Sequence, residues 1–171
     1  FIKDRKILVT GSSGTIGGEL LKISIKNGAK EIIAIDHNEL GQYDIFEKKY
    51  NNVNIYVSTV LNKDYLDEIF KKHKPDIVLH AAAYKHVHLS EYSISSTIKN
   101  NIIGTKNIVD ISISNNVKKF VFISTDKAVN PTNIMGATKS VCELYCQNIE
   151  SNGTDIISVR FGNVLGSSGS V

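Results

Sequence analysis

Short apolar runs alternate with longer polar or amphipathic segments along the whole chain, and this alternation predicts its elements. Residues 6–10 (Lys-Ile-Leu-Val-Thr) form an apolar run, followed by a glycine-rich turn over 11–17 and a helical pattern over 16–26. A second apolar run at 31–35 ends on Asp36, a polar helix is expected over 38–49, and 53–57 alternates as a third strand. Over 63–72, Leu66, Ile69 and Phe70 recur at helical spacing until Pro75 stops the helix. Residues 76–80 read as strand four, and 90–115 as mostly helical, with Ile102, Ile103, Ile108, Val109 and Ile111 as its core face. Strand five is expected at 119–123, a helix at 133–151 and strand six at 155–160.

Continuous apolar strands, each followed by a helix, require a parallel sheet covered on both faces. With right-handed crossovers, the natural solution is an α/β, doubly wound Rossmann sheet in the order 3-2-1-4-5-6. A single domain is expected over 1–171. The hydrophobic share of 42% and charged share of 22% exclude a disordered chain. A net charge of +3 without a basic stripe argues against nucleic acid as a partner.

No apolar run approaches the length of about 18–20 residues that spans a bilayer. The chain opens on Phe1 and not on Met, and leads straight into a strand, so no signal peptide is expected. It is therefore expected to start inside a longer protein, which leaves a membrane segment upstream open. Cys142 and Cys146 stand four apart on a predicted helix, which is not zinc-site spacing, so two reduced thiols near the helix–sheet interface are expected. No other His, Cys or carboxylate spacing points to a metal. A cytoplasmic location follows, as a free protein or as the cytoplasmic domain of an inner-membrane one.

Gly11, Gly14 and Gly17 place G-x-x-G-x-x-G between the first strand and its helix. Glycine there permits a tight turn, close approach of a phosphate and close helix–strand packing. The helix N-terminus offers free N–H groups to a pyrophosphate, so Ser13, Thr15 and Ile16 join the three glycines as candidate cofactor contacts. Asp36 ends the second strand at the distance expected of a ribose-binding acid. An aspartate at a strand–helix junction also fits an N-cap, but the glycine motif favours the ribose. His37 and Asn38 follow it with no Arg to receive a 2′-phosphate, which favours NAD over NADP.

Strand five ends in Ser124-Thr125-Asp126-Lys127, and ligands of doubly wound sheets bind beyond the carboxyl ends of the strands. Met135 and Lys139, four apart, share one face of the next helix. Alone, an Asp-Lys pair is most often a surface ion pair and a helix Met most often core packing.

With those stretches in view, the chain resembles the bacterial UDP-N-acetylglucosamine 4,6-dehydratases of the extended short-chain dehydrogenase/reductase superfamily. The superfamily motif reads T-G-x-x-G-x-x-G over 10–17, and its usual Tyr-x-x-x-Lys pair aligns with Met135 and Lys139. The narrower likeness lies in 80–87 (His-Ala-Ala-Ala-Tyr-Lys-His-Val), 124–133 (Ser-Thr-Asp-Lys-Ala-Val-Asn-Pro-Thr-Asn) and 160–166 (Arg-Phe-Gly-Asn-Val-Leu-Gly).

The resemblance implies NAD as cofactor, a UDP-sugar as substrate, a homo-oligomer paired through the helices after strands four and five, and a role in capsule, O-antigen or protein-glycosylation pathways. It implies hydride removal from sugar C4, loss of the C5 proton with the C6 hydroxyl, and hydride return to C6. Lys127 is then the candidate C5 base, Asp126 the acid at C6, Thr125 a hydrogen-bonding partner of the C4 oxygen, and Lys139 a contact of the nicotinamide ribose. Met135 stands where tyrosine takes the C4 proton, which leaves Asp126 or a bound water for that task. Thr59 and Val60 are expected beside the adenine, Ala81, Ala82 and Ala83 along the cofactor, and Asn101 as an ordering residue of that site. Lys85, His86 and Asn163 are candidate substrate contacts. Ser168 falls where many relatives carry an Arg, which removes one expected phosphate contact.

The substrate-binding portion is expected beyond 171. His80 reads as a satisfied strand-end histidine, and His37, His73 and His88 as surface residues. Two other functions fit the fold: a UDP-sugar 4-epimerase, which has no need of a C5 base, and a noncatalytic NAD-binding regulator, which has no need of Lys139 or Asp126-Lys127.

Overall fold

The computed structural model describes residues 1–164. Six strands, β1 (Lys6–Thr10), β2 (Glu31–Asp36), β3 (Val53–Val57), β4 (Ile77–His80), β5 (Lys119–Ile123) and β6 (Asp155–Val159), form one parallel sheet. Their order is β3-β2-β1-β4-β5-β6, as the alternation of the sequence predicts. The connecting helices are α1 (Thr15–Lys26), α2 (Glu39–Phe46), α3 (Lys63–His73), α4 (Val87–Tyr92), α5 (Ile94–Ile98), α6 (Gly104–Ser114) and α7 (Ile134–Asn148). A π-helical turn, Lys99–Ile103, joins α5 to α6, and a 3-10 turn, Asp126–Ala128, follows β5.

The central strands are apolar throughout because both faces are covered. On one face, Leu8, Ile33, Val78 and Phe120 pack with Leu66 and Phe70 of α3, Ile108 of α6, and Cys142 and Cys146 of α7. On the other, Ile7, Val9, Ile32 and Ala34 pack with Leu21 of α1 and Ile45 of α2. Burying each large apolar side chain contributes about 1.5–3 kcal/mol, so the sheet is a stiff frame for whatever its edge carries. In the strand register, Thr10 lies opposite both Ile35 and His80, and His80 opposite Phe122. The loops leaving β1, β2, β4 and β5 therefore emerge along one edge.

Three local expectations are corrected. The helix expected to reach residue 49 ends at Phe46, and the chain turns through Lys49 at φ 51°. Within the 90–115 segment, mostly helical as expected though interrupted at Ser93 and by the π turn, Ile103 leaves the expected core. One extra residue per turn there rotates the helix face, which leaves Ile103 43% exposed instead of in the core. His73 is buried rather than on the surface: its ring bonds the Tyr56 hydroxyl and the Glu31 carboxylate, each at 2.6 Å. No described helix is long and apolar enough to cross a membrane. The Ser168 departure lies outside the described residues.

Candidate active site

The glycine-rich turn is shaped by two close approaches. Gly11 has φ +69°, and a Cβ there would stand 2.7 Å from the Ala82 nitrogen. A Cβ on Gly17 would stand 1.9 Å from the Gly11 oxygen, so α1 starts directly against the turn. Gly14 differs: it caps α1 without a side-chain hydrogen bond, and an added Cβ would meet only the Gly11 oxygen, at 3.3 Å. Among the described residues no side chain accepts from the first-turn amides of α1, and the space beside Gly14 is open. That combination favours an anion.

Asp36, 8% exposed, closes the other side of the turn. Its Oδ2 accepts from the Ser13 amide (3.0 Å) and hydroxyl (2.7 Å), and its Oδ1 accepts from the Asn38 amide (3.1 Å). His37 Nδ1 lies 3.4 Å from the same carboxylate. Asn38 caps α2 through the Gly41 amide. A cleft of about 1010 Å³ runs along this edge, lined among others by Gly11, Ser13, Gly14, Thr15, Asp36, His37 and Asn38. Ala81, Ala82, Ala83 and Lys85 line its opposite wall. Bare helix-terminal amides for phosphates and a buried carboxylate for ribose hydroxyls fit a dinucleotide.

Not every expected contact faces the cleft. Ser58 and Val60 line it, while Thr59 between them is exposed and accepts from the Leu61 amide. Ile16 and Gly17 are absent from the lining, and His86 serves as the N-cap of α4. Asn101 is 1% exposed and acts as a clamp. Its Oδ1 accepts from the Tyr84 amide at 2.8 Å, and its Nδ2 donates to the Tyr84 carbonyl and the Thr138 hydroxyl, both at 3.0 Å. It holds the segment after Ala83 against α7, while Asn100 takes the place on the cleft wall. His80 is fully buried as a satisfied strand-end residue, with Nδ1 2.6 Å from the Thr10 hydroxyl and Nε2 2.9 Å from that of Thr105. Burial pushes its pKa down to about 3, helped by the charge of Lys139.

The second part of the site lies at the end of β5. Thr125 Oγ1 donates to Asp126 Oδ1 at 2.9 Å, and Lys127 Nζ lies 3.2 Å from that same oxygen. These contacts, from Thr125 first and then Lys127, hold the Asp126 carboxyl below the usual carboxylate range. Lys127 Nζ also donates to Asn163 Oδ1 at 3.1 Å, which brings a residue from beyond β6 into the group. The α7 N-terminus packs on this turn: a Cβ on Gly136 would stand 2.2 Å from the Lys127 carbonyl oxygen. Met135 and Lys139 are both buried on α7. Lys139 Nζ donates to the Ile123 carbonyl at 2.8 Å and lies 4.4 Å from the Phe122 ring centroid. Burial draws its pKa down to about 8. None of Thr125, Asp126, Lys127, Met135, Lys139 and Asn163 lines the cleft, whose wall on that side ends at Ala83, Lys85 and Asn100.

Sequence reasoning missed Gln42. It is 1% exposed; its Oε1 accepts from Ser12, and its Nε2 donates to the Ala34 and Tyr56 carbonyls, tying the glycine-rich turn to β2 and β3. A glutamine inside a polar helical segment carries no signal of such a role. It also missed the ion pair of Glu143 with Arg160, whose partners lie 17 residues apart on different elements.

Against known proteins, a family model described as polysaccharide biosynthesis protein matches residues 7–171. The capsular polysaccharide biosynthesis protein CapD of Staphylococcus aureus is 44% identical over 99% of this chain and 30% of its own length. A UDP-N-acetylglucosamine 4,6-dehydratase (inverting) of Campylobacter jejuni is 38% identical over 98% of this chain and 51% of its own. The X-ray structure of Pen from Bacillus thuringiensis superposes with a TM-score of 0.94 at 35% identity, covering 100% of this chain and 54% of that one. The chain thus spans between about a third and about half of these proteins.

Proposed function

Because the chain belongs to the polysaccharide biosynthesis protein family, within the extended short-chain dehydrogenase/reductase superfamily, we propose that its full-length protein is an NAD-dependent UDP-N-acetylglucosamine 4,6-dehydratase. In this reading the chain supplies the dinucleotide-binding half, and other parts of the full-length protein complete the sugar-nucleotide site. The observation that carries the reading is the contact of Lys127 Nζ with both Asp126 Oδ1 and Asn163 Oδ1 at the ligand edge of the sheet. An epimerase has no use for such an acid–amine pair.

The first-turn amides of α1 would hold the cofactor's phosphates, Asp36 a ribose and Lys139 the nicotinamide ribose. When bound, NAD supplies an acceptor for hydride from sugar C4 and returns it at C6. The Met135 thioether has no proton to exchange, so the C4 hydroxyl proton passes to the Asp126 carboxylate, which Thr125 and Lys127 keep ionised. Neutralising Asp126 deprives Lys127 of its ion partner, which favours loss of the ammonium proton to solvent and leaves the free amine to take the C5 proton. The protonated Asp126 carboxyl then gives its proton to the C6 hydroxyl, which leaves as water, and as hydride reaches C6 the Lys127 ammonium, exchanged with solvent, returns a proton to C5. Asp126 thus works twice, as base and then as acid.

Replacing Asp126 by Asn is expected to cost about 10²–10⁴-fold in turnover, with both C4 oxidation and water loss impaired. Unimpaired C4 oxidation in that variant refutes the dual role. Exposed Leu89, Tyr92, Ile94 and Ile98 on α4 and α5, with Val141 and Leu144 on α7, support a homo-oligomer paired through these helices.

A further inference from the structure

The Glu143–Arg160 ion pair joins α7, which carries Met135 and Lys139, to the segment after β6, which carries Asn163. Glu143 lies on α7 one turn beyond Lys139 and is 3% exposed. Arg160 directly follows β6 and grips it twice: Nε is 2.8 Å from Oε1 and 3.1 Å from Oε2, and Nη2 is 2.5 Å from Oε2. Beyond Arg160, the Phe161 carbonyl accepts the Asp126 amide at 3.2 Å and Asn163 accepts from Lys127. Before Glu143, Lys139 is tethered to the end of β5.

The pair is only half buried, the Glu143 side chain being 4% exposed and that of Arg160 47%, and such a pair is a weak source of stability. What it adds is a single allowed geometry, bidentate and planar, and a fixed charge. We propose that Glu143 and Arg160 form a positioning pair, which sets α7 against the segment after β6 so that Lys139 and the Lys127–Asn163 contact keep one arrangement, with the Glu143 carboxylate as buried counter-charge of Lys139. The proposal rests on the roles given above to Lys127 and Lys139.

Several titratable groups surround Lys139 among the described residues. On α7 the Cys142 and Cys146 thiols are pushed up by burial, Cys146 to about 12, and on β4 His80 is pushed down to about 3, so all three are neutral near pH 7. Asp126 and Lys127 sit on the turn against the α7 N-terminus, where Glu91 of α4 also accepts the Ile134 amide. Asp110 and Lys106 of α6 meet Tyr145 at the far end. Glu143 stays ionised, held down by Arg160 first.

The test uses the full-length protein with 13C-labelled lysine, the Lys139 signal being assigned by its loss in Lys139→Arg. Glu143→Gln, which is nearly isosteric, is expected to move the Lys139 titration below its starting value near 8. Arg160→Lys keeps the carboxylate charged and is expected to leave that titration in place. Both variants are expected to lower kcat on the order of 10- to 100-fold with little change in KM, as a misplacement of about 1 Å does. An unmoved Lys139 titration in folded Glu143→Gln overturns the counter-charge, and an unchanged kcat in folded Arg160→Lys overturns the positioning. If Glu143→Gln does not fold, Arg160→Lys still decides the latter. If the unmodified protein turns over no UDP-sugar, the proposed function fails, while the lysine titration still decides the counter-charge.

Discussion

Two glycines of one turn should fail in opposite ways. In Gly17→Ala the new methyl would stand 1.9 Å from the Gly11 oxygen and 2.6 Å from the Gly11 carbon. Both are backbone atoms, so α1 must move by more than about 1 Å, a strain at the upper end of overpacking costs, about 2–3 kcal/mol. The helical preference of Ala over Gly, about 1 kcal/mol, offsets part of it. A net loss of about 1–2 kcal/mol lowers Tm by roughly 2–8 °C in a domain of this size. Gly14→Ala meets an ordinary extended backbone at φ −72° and ψ 167°, with one neighbour at 3.3 Å. It should cost under about 1 kcal/mol in stability, but its methyl enters the cleft beside the bare α1 amides. NAD affinity should fall on the order of 10-fold or more, about 1.4 kcal/mol. Thermal unfolding and calorimetric NAD titration of the full-length protein read both. An unchanged Tm in Gly17→Ala, or unchanged NAD affinity in Gly14→Ala, refutes the reasoning.

Asp36→Ala removes a charged acceptor worth about 1.5–3 kcal/mol. NAD should bind roughly 10- to 100-fold more weakly, with NADP gaining relative to it, as parallel titrations of the two cofactors would record. Lys127→Met should abolish exchange of the C5 proton with solvent while C4 oxidation persists, as mass spectrometry of the sugar in deuterated water would show. His80 binds a proton only on unfolding between its ordinary value of about 6.5 and its buried value of about 3. Its stabilising effect is therefore complete above about pH 6.5 and declines as the pH falls toward 3, by up to about 1.4 kcal/mol per pH unit. Calorimetry from pH 4 to 7 should show a shallower decline in His80→Gln.

The strands were legible because a sheet covered on both faces demands continuous apolar runs, and 31–35 and 119–123 have no other use for Ile-Ile-Ala-Ile or Phe-Val-Phe. Gly11 and Gly17 were legible for the same kind of reason, since no side chain fits there. The π turn was hidden, because Lys-Asn-Asn-Ile-Ile fits an ordinary helix and only the packing of Asn101 against Tyr84 and Thr138 distinguishes it. His73 misled because it ends a charged helix stretch, while its partners Glu31 and Tyr56 come from β2 and β3. The resemblance, and not the residue types alone, made Asp126 and Lys127 candidates, and the Asn163 contact depends on β6 lying beside β5. That is a property of the sheet and not of either segment.

The most direct test is to give the full-length protein UDP-N-acetylglucosamine in deuterated water and follow the sugar by NMR. A UDP-4-keto-6-deoxy sugar carrying deuterium at C5 is the predicted result. UDP-N-acetylgalactosamine instead would make the protein a 4-epimerase, and an unchanged sugar with NAD still bound would make it a noncatalytic NAD-binding protein. Either result contradicts the account given for Asp126 and Lys127.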